Sequence, residues 1–288
     1  VLKAWEGLGY YSRARNLQRG AQTVAHTFGG RLPDTCSELL KIPGIGPYTA
    51  GAIASIAFGE PAPTLDGNII RVLCRLARVR RRPALTATRK RLWGLAHELV
   101  PPRTAGEFNE GLMDLGATVC TPRIPDCGHC PLRRHCLAFG AGEQESLPKV
   151  RKRRKTPHYD VGIAVIRRGQ RVLIDQRPLD VPLGGGLWEF PGGKRHDGET
   201  IEECVAREAK EELGLKVRLR MHLCTVRHAY SHFRVTLHAW ECRIVSGRAR
   251  PRASQAIRWV TLDELDDYAF PAGSHKIIAV LRREVEEG

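Results

Sequence analysis

The 288-residue sequence lacks any hydrophobic run long enough to span a membrane, and its first residues lack a signal-peptide pattern. It also lacks internal repeats, and its only low-complexity stretch is the basic run at residues 151–155. These absences argue against a membrane-spanning chain, a cleavable secretory signal at its start and a repeat architecture. The sequence does not begin with methionine, which fits a fragment of a longer protein.

Composition and charge narrow the class of protein. With 42% hydrophobic and 27% charged residues, the chain is typical of soluble globular proteins, and its length suits about two domains. The net charge is +15, of which residues 1–156 carry +13 and the remainder +2. The first half is therefore predicted to bind a polyanion. Charge alone also fits RNA or an anionic membrane, so it does not name the partner.

A glycine-containing turn separates two apolar helical patterns in the first half. Gly44 and Gly46 predict a tight hairpin, because glycine tolerates positive φ and close approach of another backbone. Pro47 suits the first position of the next helix, whose free N–H groups and dipole form a site for a phosphate. An ordinary helix-turn-helix corner is the alternative interpretation.

An aspartate follows this hairpin in the sequence. Asp66 lies twenty residues after Gly46 and starts the apolar helical pattern of residues 68–76. An ordinary N-cap explains an aspartate at this place. Further helical patterns at residues 85–99 and 105–118 predict that residues 1–118 are all-helical.

Aromatic and basic side chains are interleaved near the start of the chain. Tyr10 and Tyr11 follow a glycine turn, and Arg13 and Arg15 come directly after them. Such rings can wedge into a base stack, and the arginines can pair with phosphates. The alternative is that the aromatic rings simply belong to the core.

Four of the nine cysteines lie within seventeen residues, in the spacing Cys120-x6-Cys127-x2-Cys130-x5-Cys136. Soft thiolates at this density suit either a four-iron cluster or a tetrahedral site for a structural zinc ion. The other five cysteines are scattered, which indicates a reducing compartment rather than a disulfide framework: Cys36, Cys74, Cys204, Cys224 and Cys242.

Strand patterns at residues 161–166 and 172–174 open the second half, and an acidic helix follows. On that helix Glu208, Glu211 and Glu212 fall on one face. Like charges repel there, so a bound Mg²⁺ is a physical reason to place them together. A solvated acidic face is the alternative.

A later loop carries short hydrogen-bonding groups between two strand patterns, at Tyr230, Ser231 and His232. Such a loop can read the edge of a purine. A structural role for the tyrosine and histidine is at least as common.

The hairpin, Asp66 and the four-cysteine spacing resemble the helix-hairpin-helix DNA glycosylases, and within them the adenine DNA glycosylases of the MutY type. From Gly193 the second half also matches the Nudix pattern. The resemblance spans essentially the whole chain. It implies an all-α helix-hairpin-helix glycosylase domain (1–118), a [4Fe-4S] cluster loop (119–137), a linker (138–157) and an α+β Nudix-like, MutT-like domain (158–288).

The resemblance implies base-excision repair of double-stranded DNA, in which adenine opposite 8-oxoguanine or guanine is flipped out and its N-glycosidic bond is hydrolysed. Asp66 would stabilise the developing positive charge on the sugar. The loop from Tyr230 through Ser231 to His232 would contact 8-oxoguanine. The cluster would be held by Cys120, Cys127, Cys130 and Cys136, and DNA would be bound by Tyr10, Arg13, Arg15, Gly44, Gly46 and Tyr48.

The resemblance also predicts chemistry without strand cleavage. The related endonuclease III enzymes form a Schiff base through a lysine after the hairpin, and here that position is Tyr48, whose phenol cannot form an imine. The acidic helix is expected mainly to support reading of 8-oxoguanine, with Mg²⁺ at Glu208, Glu211 and Glu212 as an open possibility. We expect a monomeric, cytoplasmic, DNA-associated bacterial protein.

Two interpretations from other classes compete. The acidic helix alone fits a Nudix nucleoside diphosphate hydrolase acting on 8-oxo-dGTP, although this ignores residues 1–136. A damage-binding fragment without chemistry is the second. In the family the general acid is a glutamate well upstream of the position of Tyr10, and that segment is not in this sequence. We therefore expect the 288-residue chain itself to bind weakly and to excise adenine very slowly or not at all.

Overall fold

The computed structural model describes residues 1–151, 156–230 and 232–286. The chain divides into two compact units. The helical unit comprises residues 16–153, and the sheet unit comprises residues 1–15 together with residues 154–288. Within the described residues, no helix is both long and apolar enough to cross a membrane.

Short and medium helices make up the helical unit, and they follow the predicted patterns. The first, α1, extends from the sheet unit into it. Their bounds are α1 Tyr11–Thr27, α2 Cys36–Leu39, α3 Pro47–Phe58, α4 Gly67–Leu76, α5 Thr86–Leu99, α6 Ala105–Asp114 and α7 Leu137–Gly140, with a π-helical turn Leu115–Val119 after α6 and a 3₁₀ turn Arg133–His135 before α7.

The helical unit is held together by apolar faces and by small residues at close crossings. The α4 helix buries Ile69, Val72 and Leu73 in one core cluster. Helix α3 carries Gly51, where a Cβ atom would lie 2.1 Å from a backbone oxygen of Pro63. Only glycine allows that approach, so the chain segment leading to Asp66 lies directly against α3.

The sheet unit contains a mixed seven-stranded sheet and two long helices. The strand order is β3-β2-β1-β6-β5, in which β1 and β6 are parallel, and β4 and β7 pair additionally with β1 and β2. The bounds are β1 His158–Arg168, β2 Arg171–Gln176, β3 Trp188–Glu189, β4 Gly192–Lys194, α8 Ile201–Leu213, β5 Lys216–Ala229, β6 Arg234–Ser246, β7 Ala256–Val260 and α9 Ala272–Glu286.

The two long helices of the sheet unit cover different faces of β1. Ala164 and Ile166 pack in the cluster that contains Val205 of α8. Ile163 and Val165 belong to the cluster that contains residues of α9. Because successive side chains of a strand point to opposite faces, this alternation places a helix on each side of the sheet. The predicted architecture, a helical first part and an α+β second part, is confirmed.

The first fifteen residues differ from the predicted domain division, since the sequence places them in the first domain and the compact units place them in the sheet unit. Their contacts explain the grouping. Lys3 donates to the carbonyl of Tyr268 at 3.1 Å, and Glu6 accepts from the N–H of Phe270 at 2.7 Å. Burial acts to raise the pKa of Glu6, but its partners, Lys3 first among them, hold it below the usual value.

Candidate functional site

The predicted hairpin is present before α3. Gly44 has φ +88°, and a Cβ atom there would lie 2.6 Å from Cβ of Asn16, so both the backbone and the space require glycine. Gly46 is the extended N-cap of α3, with nothing near the place of a Cβ atom, and Pro47 is the first helical residue. The first-turn N–H groups of a helix lack intrahelical acceptors, so this open end can receive an anion.

Asp66 is the N-cap of α4 and lies half-buried. Its Oδ1 accepts the N–H of Ile69 at 2.7 Å, which is the capping geometry that aspartate commonly forms. The buried hydroxyl of Thr64 donates to the carbonyl of Tyr48 at 3.0 Å and so ties the segment before Asp66 to the first turn of α3. The structure therefore ties the segment that leads to Asp66 to the first turn of α3, which is separate from it in sequence. The cap occupies Oδ1 and leaves Oδ2 for another partner.

A buried arginine connects the Asp66 helix to the cysteine segment. Arg71 donates from Nε to the carbonyl of Cys120 at 2.7 Å and from Nη2 to Oδ1 of Asn68 at 2.9 Å, and Nη2 also contacts the carbonyl of Gly116. Burial lowers the pKa of Arg71, while Cys120 and Asp66 act in the opposite direction. The first turn of α4 is thus anchored to the start of the cysteine segment.

The four predicted cysteine ligands line one cavity, together with Arg75 and Arg133. Burial raises the pKa of the Cys127 thiol, and Cys120, Cys136 and Cys130 raise it further by their charge. Four thiolates cannot gather here without a positive group among them, which is what a metal centre provides. In the described part of the chain, no three His, Cys, Asp or Glu side chains are arranged to hold a single metal ion.

Tyr10 is the predicted inserting side chain, and its backbone is unusual. It has φ +45°, a region that large side chains rarely adopt, and 62% of the residue is exposed. Strained residues of this kind concentrate at functional sites. Nearby, Arg13 lies over the ring of Trp5 at 5.8 Å, and Arg15 donates to the carbonyl of Gly185.

Arg207 engages two of the predicted Mg²⁺ ligands. The guanidinium pairs with Glu208 at 2.7 Å and with Glu211 at 3.0 Å, and it also pairs with Glu199 at 2.7 Å. Glu212 points elsewhere and accepts the N–H of Gly192 at 3.0 Å. The structure therefore neutralises part of the acidic face with an arginine of the same helix.

Asp175 is buried, and two half-buried carboxyl groups, those of Glu189 and Glu212, lie near it. Burial, with the charges of Glu189 and Glu212, raises the pKa of Asp175 to about 9, and burial with Glu189 raises that of Glu212 to about 8. Glu189 also has a raised pKa because of burial, and Arg177 pairs with it at 2.7 Å. Oδ1 of Asp175 is buried without a partner among the described residues. At neutral pH Asp175 and Glu212 are therefore largely protonated.

The predicted purine-reading loop joins β5 and β6. Tyr230 packs against His228 at 4.6 Å and against Phe233 at 4.8 Å, and burial raises the pKa of its hydroxyl. His232 is exposed. Ser231 lies outside the described residues. An aromatic base therefore supports an exposed histidine at the tip of the hairpin.

Sequence reasoning missed several of these residues. Arg71 and Arg75 lie four apart on α4 and interrupt its otherwise apolar inner face, and Asp175 ends the buried run of β2. A charged residue at a position whose periodicity is apolar is the signal that could have revealed them, because burial of a charge requires a partner.

Comparison with known proteins gives matches over both units. A NUDIX domain model matches residues 162–280, and a helix-hairpin-helix motif model matches residues 27–56. The human adenine DNA glycosylase is 34% identical over 97% of this chain and 60% of that protein. The adenine DNA glycosylase of Buchnera aphidicola subsp. Schizaphis graminum is 36% identical over 98% of this chain and 79% of that protein.

The chain thus spans about 60% of the length of the human relative. Among solved structures, the MutT protein from Methanosarcina mazei Go1 is 24% identical with a TM-score of 0.42, over 46% of this chain and 98% of that chain.

Proposed function

Because the chain belongs to the adenine DNA glycosylase family, we propose that it serves to remove adenine from mispairs with 8-oxoguanine or guanine in double-stranded DNA. The observation that carries this proposal is the hydrogen bond that ties the segment leading to Asp66 to the first turn of α3, at the open end of that helix. A DNA backbone held at that end would bring a flipped nucleotide close to a carboxylate. The charge of +13 on residues 1–156 supports a polyanionic partner.

The chemical role of Asp66 follows from the bond that breaks. Cleavage of an N-glycosidic bond leaves positive charge on the sugar, and a fixed carboxylate nearby lowers the energy of that state. The hydrogen bond from Ile69 fixes the orientation of Asp66, while Oδ2 stays available to face the sugar. An ionised carboxylate cannot also protonate the departing adenine, so the acid is a separate group.

DNA is proposed to be held by groups from each of the two units. The N–H groups after Gly46 would bind a phosphate, and Tyr10 would enter the base stack near the damaged pair. Tyr48, in the first turn of α3, would also contact the DNA. Arg13 lies over the ring of Trp5, and Arg15 donates one N–H group to the carbonyl of Gly185. The remaining N–H donors of both arginines would pair with phosphates.

The four-cysteine cavity is proposed to hold a [4Fe-4S] cluster. The donor set fits, since such a cluster takes four thiolates and binds each one through a different iron, so its ligands surround a cavity. Cys120, Cys127, Cys130 and Cys136 would hold it. When bound, the cluster would order the basic loop around Arg133 and Arg134, and it would take no part in bond cleavage.

The Nudix-like unit is proposed to read 8-oxoguanine through Tyr230, Ser231 and His232. The state of the acidic helix supports reading over hydrolysis. Arg207 pairs with Glu208 and Glu211, so a Mg²⁺ ion at these residues would have to displace the arginine.

A single-turnover assay tests the proposed activity. The protein is mixed with duplexes that carry adenine opposite 8-oxoguanine, guanine or thymine. We expect adenine release from the first two only. Borohydride should trap no efficient protein–DNA crosslink, since Tyr48 occupies the position of the Schiff-base lysine. Release opposite thymine at the same rate, or efficient trapping, would contradict the proposal.

A further inference from the structure

Arg75 is a buried arginine that lies against the four-cysteine cavity. It is only 1% exposed and belongs to α4. Its Nη1 donates to Sγ of Cys120 at 3.2 Å and to the carbonyl of Thr121 at 2.7 Å. Nη2 donates to the carbonyl of Pro122 at 3.1 Å, and Nε donates to that of Leu147 at 2.9 Å. One guanidinium therefore contacts a predicted sulfur ligand and the backbone beyond it.

The last cysteine of the motif contacts the same residue. The Sγ atom of Cys136 lies 3.5 Å from the backbone carbonyl oxygen of Arg75. The first and last cysteines are sixteen positions apart in sequence, and both contact Arg75. This geometry fixes the two ends of the motif relative to α4.

The charge of Arg75 needs compensation. Three of its acceptors are neutral backbone carbonyls, and the fourth is the Cys120 sulfur. A buried cation is costly unless an anion lies close to it. Arg71 adds a second cation nearby, which contacts the carbonyl of the same cysteine. A thiolate-held metal group with net negative charge would provide the compensation that the carbonyls cannot.

We propose that Arg75 is a positioning residue for the cysteine-held group, which it retains and tunes through its charge and its hydrogen bond to the Cys120 sulfur. This inference rests on the proposed cofactor. Hydrogen bonds to ligand sulfurs and nearby positive charge favour the more reduced, more negative state of a cluster. Arg75 therefore raises the reduction potential and slows the loss of iron.

The test compares wild type with Arg75→Gln and Arg75→Lys in the complete protein. Iron and sulfide per chain, the midpoint potential, and the rate of iron loss to a chelator are measured. We expect Arg75→Gln to shift the potential to more negative values and to lose iron about tenfold faster, the usual scale for a residue beside a ligand. Arg75→Lys keeps the charge and should lie between wild type and Arg75→Gln.

Arg80→Gln is the matched control, since Arg80 is exposed and pairs with Glu143 instead of a sulfur. It should keep the wild-type potential and iron content. An unchanged potential and iron-loss rate in Arg75→Gln, even with a lower melting temperature, would overturn the proposal and leave Arg75 a purely structural role. If Arg75→Gln does not fold, a wild-type potential in Arg75→Lys with a wild-type rate of iron loss would also overturn it.

The wild-type metal content tests the proposed cofactor separately. Zinc in place of iron would contradict the proposed [4Fe-4S] cluster. The rate of zinc release would then test the role of Arg75. Faster zinc loss from Arg75→Gln than from Arg80→Gln would support the positioning role, and equal rates would contradict it.

Discussion

At the scale of single residues, Asp66 caps α4 and is proposed to stabilise positive charge on the sugar, two roles that one carboxylate can perform together. Oδ1 caps α4 through the N–H of Ile69, and this bond sets the direction of the group. Capping needs only an acceptor oxygen, whereas stabilising a positively charged sugar needs a negative charge. The two roles can therefore be separated by substitution.

We predict that Asp66→Asn lowers single-turnover adenine excision on the order of a hundred- to thousand-fold, because the charge is lost. The folding stability should change by less than about 1 kcal/mol, since asparagine caps helices as well as aspartate does. Excision kinetics and thermal unfolding measure the two effects. Asp66→Ala is the comparison, because it removes the cap as well. An Asp66→Asn protein with nearly wild-type excision would refute the chemical role.

The residues that could be predicted from sequence differ in kind from those that could not. Asp66 and the four cysteines belong to local spacings, so sequence alone indicated them. The environments of Arg75 and Asp175 depend on groups far along the chain: the carbonyl of Leu147 accepts from Arg75, and the charge of Glu212 raises the pKa of Asp175. Sequence shows that such an ionisable group is present but not which distant groups surround it.

At the scale of elements, the hairpin before α3 needs its two glycines for different reasons. Gly44 has positive φ and no room for a Cβ atom beside Asn16. Gly46 has φ −94° and open surroundings, so the fold itself does not require glycine there. Its lack of a side chain is useful only if another molecule approaches closely.

We predict that Gly44→Ala destabilises the helical unit by more than about 1 kcal/mol, because the strain of a positive φ and the steric overlap with Asn16 both act against the folded state. Gly46→Ala should leave stability within about 0.5 kcal/mol of wild type and still weaken DNA binding, because its methyl group would stand between the backbone and a phosphate. Thermal unfolding and duplex binding separate these effects. Unchanged DNA affinity in Gly46→Ala would argue against the hairpin as a phosphate site.

Carboxyl groups where β2, β3 and α8 meet make the stability of the sheet unit depend on pH. Asp175 and Glu212 have pKa values raised to about 9 and about 8 by burial and neighbouring carboxylates. In the unfolded chain these groups lose their protons near about pH 4. The folded unit therefore binds more protons than the unfolded chain above that pH, so its unfolding free energy falls as pH rises toward about 8.

Glu212→Gln should reduce the fall of the unfolding free energy with pH (the slope), because glutamine keeps the acceptor for the N–H of Gly192 but removes a titrating group. Denaturant unfolding between about pH 5 and about pH 8 measures it. Glu202→Gln, at an exposed site on the same helix, is the control and should keep the wild-type slope. A slope that Glu212→Gln leaves unchanged would count against protonated carboxyl groups in the folded unit.

Element positions followed from the pattern of apolar side chains along the chain. The patterns at residues 85–99 and 172–174 correspond to α5 and β2, because each buries a consistent set of side chains. The placement of residues 1–15 did not follow, because it depends on bonds such as that between Glu6 and Phe270. Helical periodicity reports which face is buried but not the element that covers it.

At the scale of the whole molecule, the two units carry different parts of the proposed function. The helical unit contains the hairpin, Asp66 and the cysteine cavity. The sheet unit contains the loop at Tyr230 and His232 and an acidic helix neutralised by Arg207. Under the proposed function, the helical unit would perform the chemistry and the sheet unit would recognise the opposite base.

The most direct measurement is the ratio of single-turnover excision rates for adenine opposite 8-oxoguanine and opposite guanine. We predict a ratio above one for wild type, and a ratio reduced toward one in His232→Ala, because an exposed loop side chain is lost without disturbing the core. The rate opposite guanine should stay near wild type. A ratio that His232→Ala and Tyr230→Phe both leave unchanged, or an equal loss of both rates, would contradict the division of labour between the two units.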